Sequence, residues 1–263
     1  MNVDRGYIRL YLYFRLIYST TMRKVFIADA HLGKPGDFNY QALMKFLDGL
    51  KGNTETLFIL GDLFEFWIGY EKVPFTQYLP VLEMLLEIRK SGTKIVYFEG
   101  NHDFHMGSFF EKNLRAEIQR SPRVLPVNGK KAYLCHGDEI IENDYGYKVL
   151  RFLLHNALTG ILLPLVPYRL TSFVADRMSC FSSRNHHERN RKWDYEAILR
   201  AFAAKKFADG CDVVVTAHFH TPFMDRAETE NGEKILISLG DWKTQFSYGE
   251  WTESSLVLKK FTP

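Results

Sequence analysis

The stretch Lys94-Ile95-Val96-Tyr97-Phe98-Glu99-Gly100-Asn101-His102-Asp103 decides the reading of this chain. Its first half is an apolar run that reads as a buried strand. Its second half sets an amide, an imidazole and a carboxylate side by side where that strand ends. Open α/β sheets bind ligands at the carboxyl ends of their strands, so the tetrapeptide has the chemistry of a site. Gly-Asn-His-Asp is equally good turn chemistry, and the choice between the two depends on the rest of the chain.

Outward from this stretch the pattern returns four times. Val25 to Ala28 reads as a short buried strand ending in Asp29-Ala30-His31, and Thr56 to Leu60 as one ending in Gly61-Asp62. Lys131 to Cys135 ends in His136-Gly137-Asp138, and Asp212 to Ala217 ends in His218-Phe219-His220. Side chains alternate along a strand, so Asp-x-His and His-x-His are expected to aim both groups the same way. Leu43, Phe46, Leu47 and Leu50 predict a crossover helix, and Leu82, Leu85, Leu86 and Ile88 predict a second over Leu79 to Arg89, with Pro80 in its first turn. Val124 to Val127 and Lys131 to Cys135 flank Asn128-Gly129 and predict a hairpin. Phe109 to Gln119 is expected to be a polar amphipathic helix, and Lys234 to Leu239 and Ser254 to Phe261 to be closing strands. Strands alternating with helices make this an α/β chain.

With 263 residues, 46% of them hydrophobic and 25% charged, the chain is long and apolar enough for one large domain, which excludes disorder. Residues 1–21 look detached from it. Tyr7 to Tyr18 is apolar and aromatic but is broken by Arg9 and Arg15, with no small-residue cleavage site after it, so it fits neither a signal peptide nor a membrane span. Met22-Arg23-Lys24 is a natural true start, and residues 1–21 are expected to be a leader or an over-extended start. Cys135, Cys180 and Cys211 are an odd number without a C-x-x-C pair, which argues for a reducing, cytoplasmic compartment.

Charge is uneven. Tyr145 to Lys206 carries eleven Lys/Arg against four Asp/Glu, a balance of +7, and the overall +3 leaves −4 for the remainder. This basic segment lies within an apolar helical insert spanning about 144–207 in a domain of residues 22–263. Pro164 and Pro167, with Arg151, His155 and Arg169 around them, argue against a bilayer-spanning helix. The insert reads either as a lid over a substrate with a greasy part and an anionic part, or as a helical layer completing the core. Docking on an anionic membrane surface fits the same composition.

Asp29, His31, Asp62, Asn101, His136, His218 and His220 are too many ligands for one ion. Mixed carboxylate, amide and imidazole without thiolate suits Mn²⁺, Fe, Zn²⁺ or Mg²⁺. Two ions about 3.5–4 Å apart, bridged by one carboxylate, is the economical arrangement. His105, His155, His186 and His187 are read as ordinary surface or core histidines.

In this order D-x-H, G-D, G-N-H-[DE], H and G-H-x-H, from Asp29 to His220, resembles the calcineurin-like metallophosphoesterase superfamily, with Ala217 in place of the usual glycine before His218. The resemblance implies an α/β four-layer sandwich, two mixed β-sheets flanked by helices. It implies one metal on Asp29, His31, Asp62 and His220 and another on Asp62, Asn101, His136 and His218, with Asp62 bridging. It makes His102 and Asp103 catalytic: His102 stabilises the transition state or protonates the leaving oxygen, and Asp103 fixes its tautomer.

Further pieces look like the UDP-2,3-diacylglucosamine diphosphatases of lipid A synthesis. They are Gly61-Asp62-Leu63-Phe64-Glu65, Trp67-Ile68-Gly69, His136-Gly137-Asp138 followed by Asp144 and Tyr147, the Leu/Pro/Arg-rich insert, and Leu239-Gly240-Asp241-Trp242. This implies hydrolysis of a UDP-linked acylated sugar to UMP and 2,3-diacylglucosamine 1-phosphate, usually with Mn²⁺, by a protein peripheral to the inner membrane surface. Asp144, Tyr147, Arg177, Ser182 and Ser183 would then contact substrate. Members of that group carry arginine where this chain has His102, so a phosphoesterase for a nucleotide or other small phosphoester is the alternative. No basic-aromatic stacking groove is visible outside the insert, so nucleic acid is not expected as a partner.

Overall fold

A computed structural model describes residues 22–69, 75–141, 145–162, 165–166 and 193–263. Along the chain the strands are β1 (Arg23–Ile27), β2 (Thr54–Ile59), β3 (Trp67–Ile68), β4 (Lys94–Phe98), β5 (Asp103–Phe104), β6 (Glu117–Gln119), β7 (Arg123–Val127), β8 (Lys130–Leu134), β9 (Val213–Thr216), β10 (Phe223–Thr229), β11 (Gly232–Ser238), β12 (Ser247–Trp251) and β13 (Leu256–Lys260). The helices are α1 (Phe38–Asp48), α2 (Leu79–Lys90), α3 (Tyr145–His155), α4 (Ala157–Leu162) and α5 (Tyr195–Ala208).

Two mixed sheets stack face to face. The first has the order β13-β12-β1-β2-β4-β6 and the second β10-β11-β9-β8-β7, while β3 and β5 form a two-stranded ribbon. β1, β2, β4 and β6 run parallel, as do β8, β9 and β11; β12 and β13 continue the first sheet antiparallel beyond β1, β7 and β10 are antiparallel edges of the second, and β3 pairs parallel with β5. Parallel strands buried on both faces need apolar residues pointing both ways, and the carboxyl-terminal parts of β1, β2 and β4 supply them. Val25, Ile27, Leu57, Ile59, Ile95 and Tyr97 pack against Leu43, Phe46 and Leu47 of α1 and Leu82, Leu85 and Ile88 of α2. The alternate residues Phe26, Phe58, Val96 and Phe98 meet Leu134, Val213, Val215 and Ile237 of the second sheet. Phe26 and Phe58 stack there with ring centroids 4.6 Å apart. The fourth layer is α5, whose Tyr195, Leu199 and Ala203 cover Cys135, Val214 and Leu236. This is the expected four-layer sandwich.

Several local expectations change. The stretch read as an amphipathic helix over Phe109 to Gln119 is one π-helical turn, Phe109–Asn113, followed by β6. Its backbone gains more by extending the sheet, with Glu117, Ile118 and Gln119 paired to Val96, Tyr97 and Phe98. The sequence pattern does not announce β10 and β12, since the outer half of β10 is exposed and Gly249 interrupts β12. The aromatic segment after Asp62 is no ordinary loop: Phe64 and Trp67 are buried in a ring cluster with Phe75, Tyr78 and Phe110. The last part of the predicted insert is α5, a core-layer helix capped by Asp194, whose carboxylate accepts from the Ala197 N–H at 3.0 Å. α3 and α4 instead expose Phe152, Leu153, Leu158, Ile161 and Leu162. No described helix is long and apolar enough to cross a membrane.

Candidate metal centre

The seven predicted ligands converge at the carboxyl ends of β1, β2, β4, β8 and β9, where the two sheets meet. Convergence comes from a change of backbone rather than from strand alternation. Asp29, His31, Asp62, His218 and His220 all have left-handed φ, between 43° and 71°. This region is uncommon for residues with a Cβ, and such strain concentrates at functional sites. Alternating left-handed residues curl each strand end so that its two ligands face inward together. Ala217 has no left-handed backbone and is fully buried, so the methyl that replaces the usual glycine fits without strain.

Buried hydrogen bonds lock these curls across both sheets. The Asp29 N–H donates to Gly61 C=O at 3.2 Å and the His31 N–H to Asp62 C=O at 2.9 Å. The His218 N–H donates to Asp29 Oδ2 at 2.8 Å, and His136 Nδ1 lies 2.8 Å from Leu60 C=O, tying the second sheet to the first. Gly61, at φ +85°, is needed here, since a Cβ would stand 2.7 Å from His136 Nδ1 and 2.8 Å from Gly100 Cα.

Two overlapping donor sets result. In the first, Asp29 Oδ1 is buried without a hydrogen-bond partner and lies 3.6 Å from His220 Nε2 and 4.0 Å from His31 Nε2. An orphaned buried carboxylate oxygen facing two imidazole nitrogens is costly unless a cation lies between them. In the second, His136 donates Nδ1–H to the Leu60 carbonyl, which turns Nε2 toward the site. Asn101 Oδ1 lies 3.0 Å from Nε2, His218 Nδ1 3.2 Å and Asp62 Oδ2 3.5 Å. Asp62 Oδ2 also lies 3.8 Å from His31 Nε2, so it faces both sets, while Asp62 Oδ1 accepts the His102 N–H at 2.9 Å. Donor atoms of Asp29, His31 and His220, and separately of Asp62, His136 and His218, fall within 4.8 Å of one another. The donors are hard oxygens and imidazoles without thiolate, which fits oxophilic divalent ions.

The electrostatics suit the same purpose. Burial pushes the Asp29 carboxyl up to about 6, against the pull of His220 and His136. Burial also works to raise Asp62, but the facing imidazoles of His136, His102 and His31 outweigh it and hold that carboxyl well below the usual range. Burial and nearby imidazoles drive His31 well below its ordinary value and His218 down to about 3, keeping both neutral. His136 is the exception: burial opposes its charge, yet the Asp62 carboxylate raises it well above its ordinary value. Bringing in a cation would displace that proton.

His102 and Asp103 part company. His102 stands at the mouth of the centre with its ring edge-on to His31 at 4.7 Å. Its Nδ1 lies 2.9 Å from the Glu65 backbone carbonyl, an acceptor only, so Nδ1 carries the proton and Nε2 is the free nitrogen. Asp103 was expected to fix this tautomer, and it does not. Its carboxylate points beneath the site, fully buried, and accepts from the N–H groups of Asp62 (2.9 Å), Leu63 (2.7 Å) and Gly100 (3.0 Å) and from Tyr97 Oη at 2.5 Å. Pairing of β5 with β3 turns this side chain inward, so its role is to clamp the loops that carry Asp62 and Asn101.

Other groups were not singled out by sequence reading. Glu65 supplies the carbonyl that orients His102, and its Oε2 lies 3.9 Å from His31 Nδ1. Buried Glu99, two residues before Asn101, lies 3.8 Å from His155 Nδ1, and His105 Nε2 meets Leu154 C=O at 2.9 Å, so α3 is docked onto the rim of the centre. Arg151 of α3 pairs with Asp138 at 3.1 Å, just beyond His136. Beside these contacts lies a cleft of about 620 Å³ lined by Arg120, Glu139, Lys148, Arg151, Phe152, His155 and Asn156. Asp144, Arg177, Ser182 and Ser183, with His186, His187 and residues 1–21, expected to be a leader or an over-extended start, lie outside the described residues. Tyr147 belongs to α3, but its side chain is likewise outside them.

The chain is similar to several known proteins. A UDP-2,3-diacylglucosamine hydrolase of Haemophilus influenzae is 26% identical over 84% of this chain and 91% of its own length. One of Pseudomonas syringae pv. tomato is 30% identical over 83% of this chain and 88% of its own. A solved Vps29 of Chaetomium thermophilum aligns with 91% of this chain and 86% of its own at 13% identity and a TM-score of 0.41. Residues 22–222 match the calcineurin-like phosphoesterase family. That span contains all seven converging donors, and the chain belongs to this family of metal-dependent phosphoesterases.

Proposed function

We propose that this protein hydrolyses the pyrophosphate bond of UDP-2,3-diacylglucosamine to UMP and 2,3-diacylglucosamine 1-phosphate, using two divalent ions, with Mn²⁺ as the working metal. The observation that carries the reading is Asp62 Oδ2, which faces His31 Nε2 at 3.8 Å and His136 Nε2 at 3.5 Å and so belongs to both donor sets at once. Asp29, His31, Asp62 and His220 would hold one ion, and Asp62, Asn101, His136 and His218 the other. When bound, a pair of ions acidifies water and neutralises phosphoryl oxygens during in-line attack.

The chain's own residues do the remainder. His102, with Nδ1–H committed to the Glu65 carbonyl, turns Nε2 to the site, where it would take up the proton given up by the attacking water and donate it to a phosphoryl oxygen or to the leaving oxygen. Asp103 keeps the Asp62 and Asn101 loops at fixed separation, so the barrier carries little cost of rearranging them.

The substrate reading draws on the named relatives and on α3. That helix carries Lys148 and Arg151 toward the cleft and exposes Phe152 and Leu153, while α4 exposes Leu158, Ile161 and Leu162. Cations beside an apolar surface suit a ligand with phosphates at one end and acyl chains at the other. The same surface supports peripheral contact with the inner face of the membrane. His102 favours a second reading, a phosphoesterase for a nucleotide or another small phosphoester, because members of the lipid-precursor group carry arginine there. Purified protein with Mn²⁺ should release UMP from UDP-2,3-diacylglucosamine and turn over acyl-free analogues poorly. Equal turnover of both would favour the second reading.

A further inference from the structure

Behind the first donor set runs the turn Gly240–Gln245, which joins β11 to β12 and to which no role has been given. Asp241 is buried, and its Oδ1 accepts the N–H groups of Lys243 at 2.9 Å, Thr244 at 2.6 Å and Gln245 at 3.2 Å. The carboxylate thereby closes the turn on itself, and its Oδ2, which also accepts the Thr244 hydroxyl at 3.2 Å, faces His220 Nδ1 at 3.5 Å. On the far side of that ring, Nε2 faces Asp29 Oδ1 at 3.6 Å. A carboxylate on one nitrogen fixes a histidine's tautomer and ring plane and makes the other nitrogen a better donor to a cation.

The turn grips the same donor set at three further points. Gln245 Nε2 donates to His220 C=O at 2.9 Å, and Gln245 Oε1 accepts the Asp241 N–H at 3.0 Å. The Trp242 N–H donates to Asp29 C=O at 3.1 Å. Lys243 Nζ reaches Glu65 Oε2 at 3.5 Å, and that oxygen lies 3.9 Å from His31 Nδ1. Asp29 and His220 are thus held from behind by the five residues Asp241–Gln245, which reach His31 through Glu65. His136, by contrast, is held by the Leu60 carbonyl on the other side of the centre.

We propose that Asp241 is a positioning residue that sets the affinity for one of the two ions, the one held by Asp29, His31 and His220, independently of the other. The proposal rests on the two-ion reading above. It predicts that losing the carboxylate uncouples the ions, so that one is lost and the other retained.

Asp241→Asn is the discriminating change. Its amide oxygen can keep the three turn N–H groups, while its NH₂ faces His220 Nδ1, where a donor meets a donor. Metal-free full-length protein would be titrated with Mn²⁺ by calorimetry, with bound metal counted after dialysis. The wild type should bind two ions. Asp241→Asn should bind one with unchanged affinity and the other about 10- to 100-fold more weakly. Gln245→Ala, which frees the His220 carbonyl without touching any donor, should weaken the same ion to a lesser degree and serves if Asp241→Asn does not fold. Two ions at wild-type affinity in both variants would overturn the assignment of Asp241, as would equal weakening of both ions. Fewer than two ions in the wild type would overturn the two-ion reading itself.

Discussion

Adding one methyl group at Gly61 should unseat the centre, and the size of the effect follows from the local geometry. Alanine at φ +85° adopts the left-handed region at a cost of about 1–2 kcal/mol. Its Cβ would also stand 2.7 Å from His136 Nδ1 and 2.8 and 2.9 Å from Gly100 Cα and N, closer than unstrained contacts allow. Backbone on one side cannot yield, so the imidazole must. Moving it breaks the buried Nδ1–H bond to the Leu60 carbonyl and leaves both groups without partners, at a further cost of about 1–3 kcal/mol. The total of roughly 2–5 kcal/mol, at about 2–4 °C per kcal/mol for a domain of this size, lowers Tm by about 4–20 °C. Thermal unfolding in chelator would measure this, and metal analysis would show the ion that needs His136 lost. A Gly61→Ala protein that melts within about 2 °C of the wild type and keeps its full complement of metal would refute the packing described for this ring.

Other perturbations separate the parts of the site. Asp62→Ala removes the oxygen common to both donor sets and should lower kcat by roughly 10³-fold or more on every substrate, as steady-state assays would show. His102→Ala should cost about 10²- to 10⁴-fold in kcat while leaving bound metal unchanged, and loss of metal together with rate would instead make His102 a ligand. Leu162→Asp on the exposed face of α4 should raise KM for acylated substrate roughly 10-fold or more and leave acyl-free substrates unaffected. Metal affinity should fall as pH drops. Asp29, raised to about 6 chiefly by burial, and His136, raised by Asp62 against burial, both carry protons that a cation must displace, so each proton released weakens binding about tenfold per pH unit below its pKa. Calorimetry at pH 5.5 and 7.5 would check the direction.

The candidate donors are legible because each follows an apolar run, and chains bury such runs as strands whose ends face one edge. The curl that brings the donors together is not legible, because Asp29, His31, Asp62, His218 and His220 take left-handed conformations without a glycine to announce them. Asp103 was misread for a related reason. Its neighbour in sequence is His102, but one residue along an extended segment reverses the side chain, and its partners are Asp62, Leu63, Gly100 and Tyr97. Glu65 acts through its backbone carbonyl, which no side-chain pattern can reveal. α5 carried a legible apolar stripe in Tyr195, Leu199 and Ala203, but it sat inside a long basic stretch and was merged with the insert. The strands β10 and β12 lacked clean alternation because their partners, rather than their own composition, hold them in the sheets.

Sharing of the Asp62 carboxylate by two ions should be visible by anomalous diffraction from Mn²⁺-loaded crystals. Two peaks about 3.5–4 Å apart are expected, both bonded to Asp62. One should be completed by Asp29, His31 and His220, the other by Asn101, His136 and His218. A single peak, or a pair of peaks that does not include Asp62 in both coordination spheres, would contradict it.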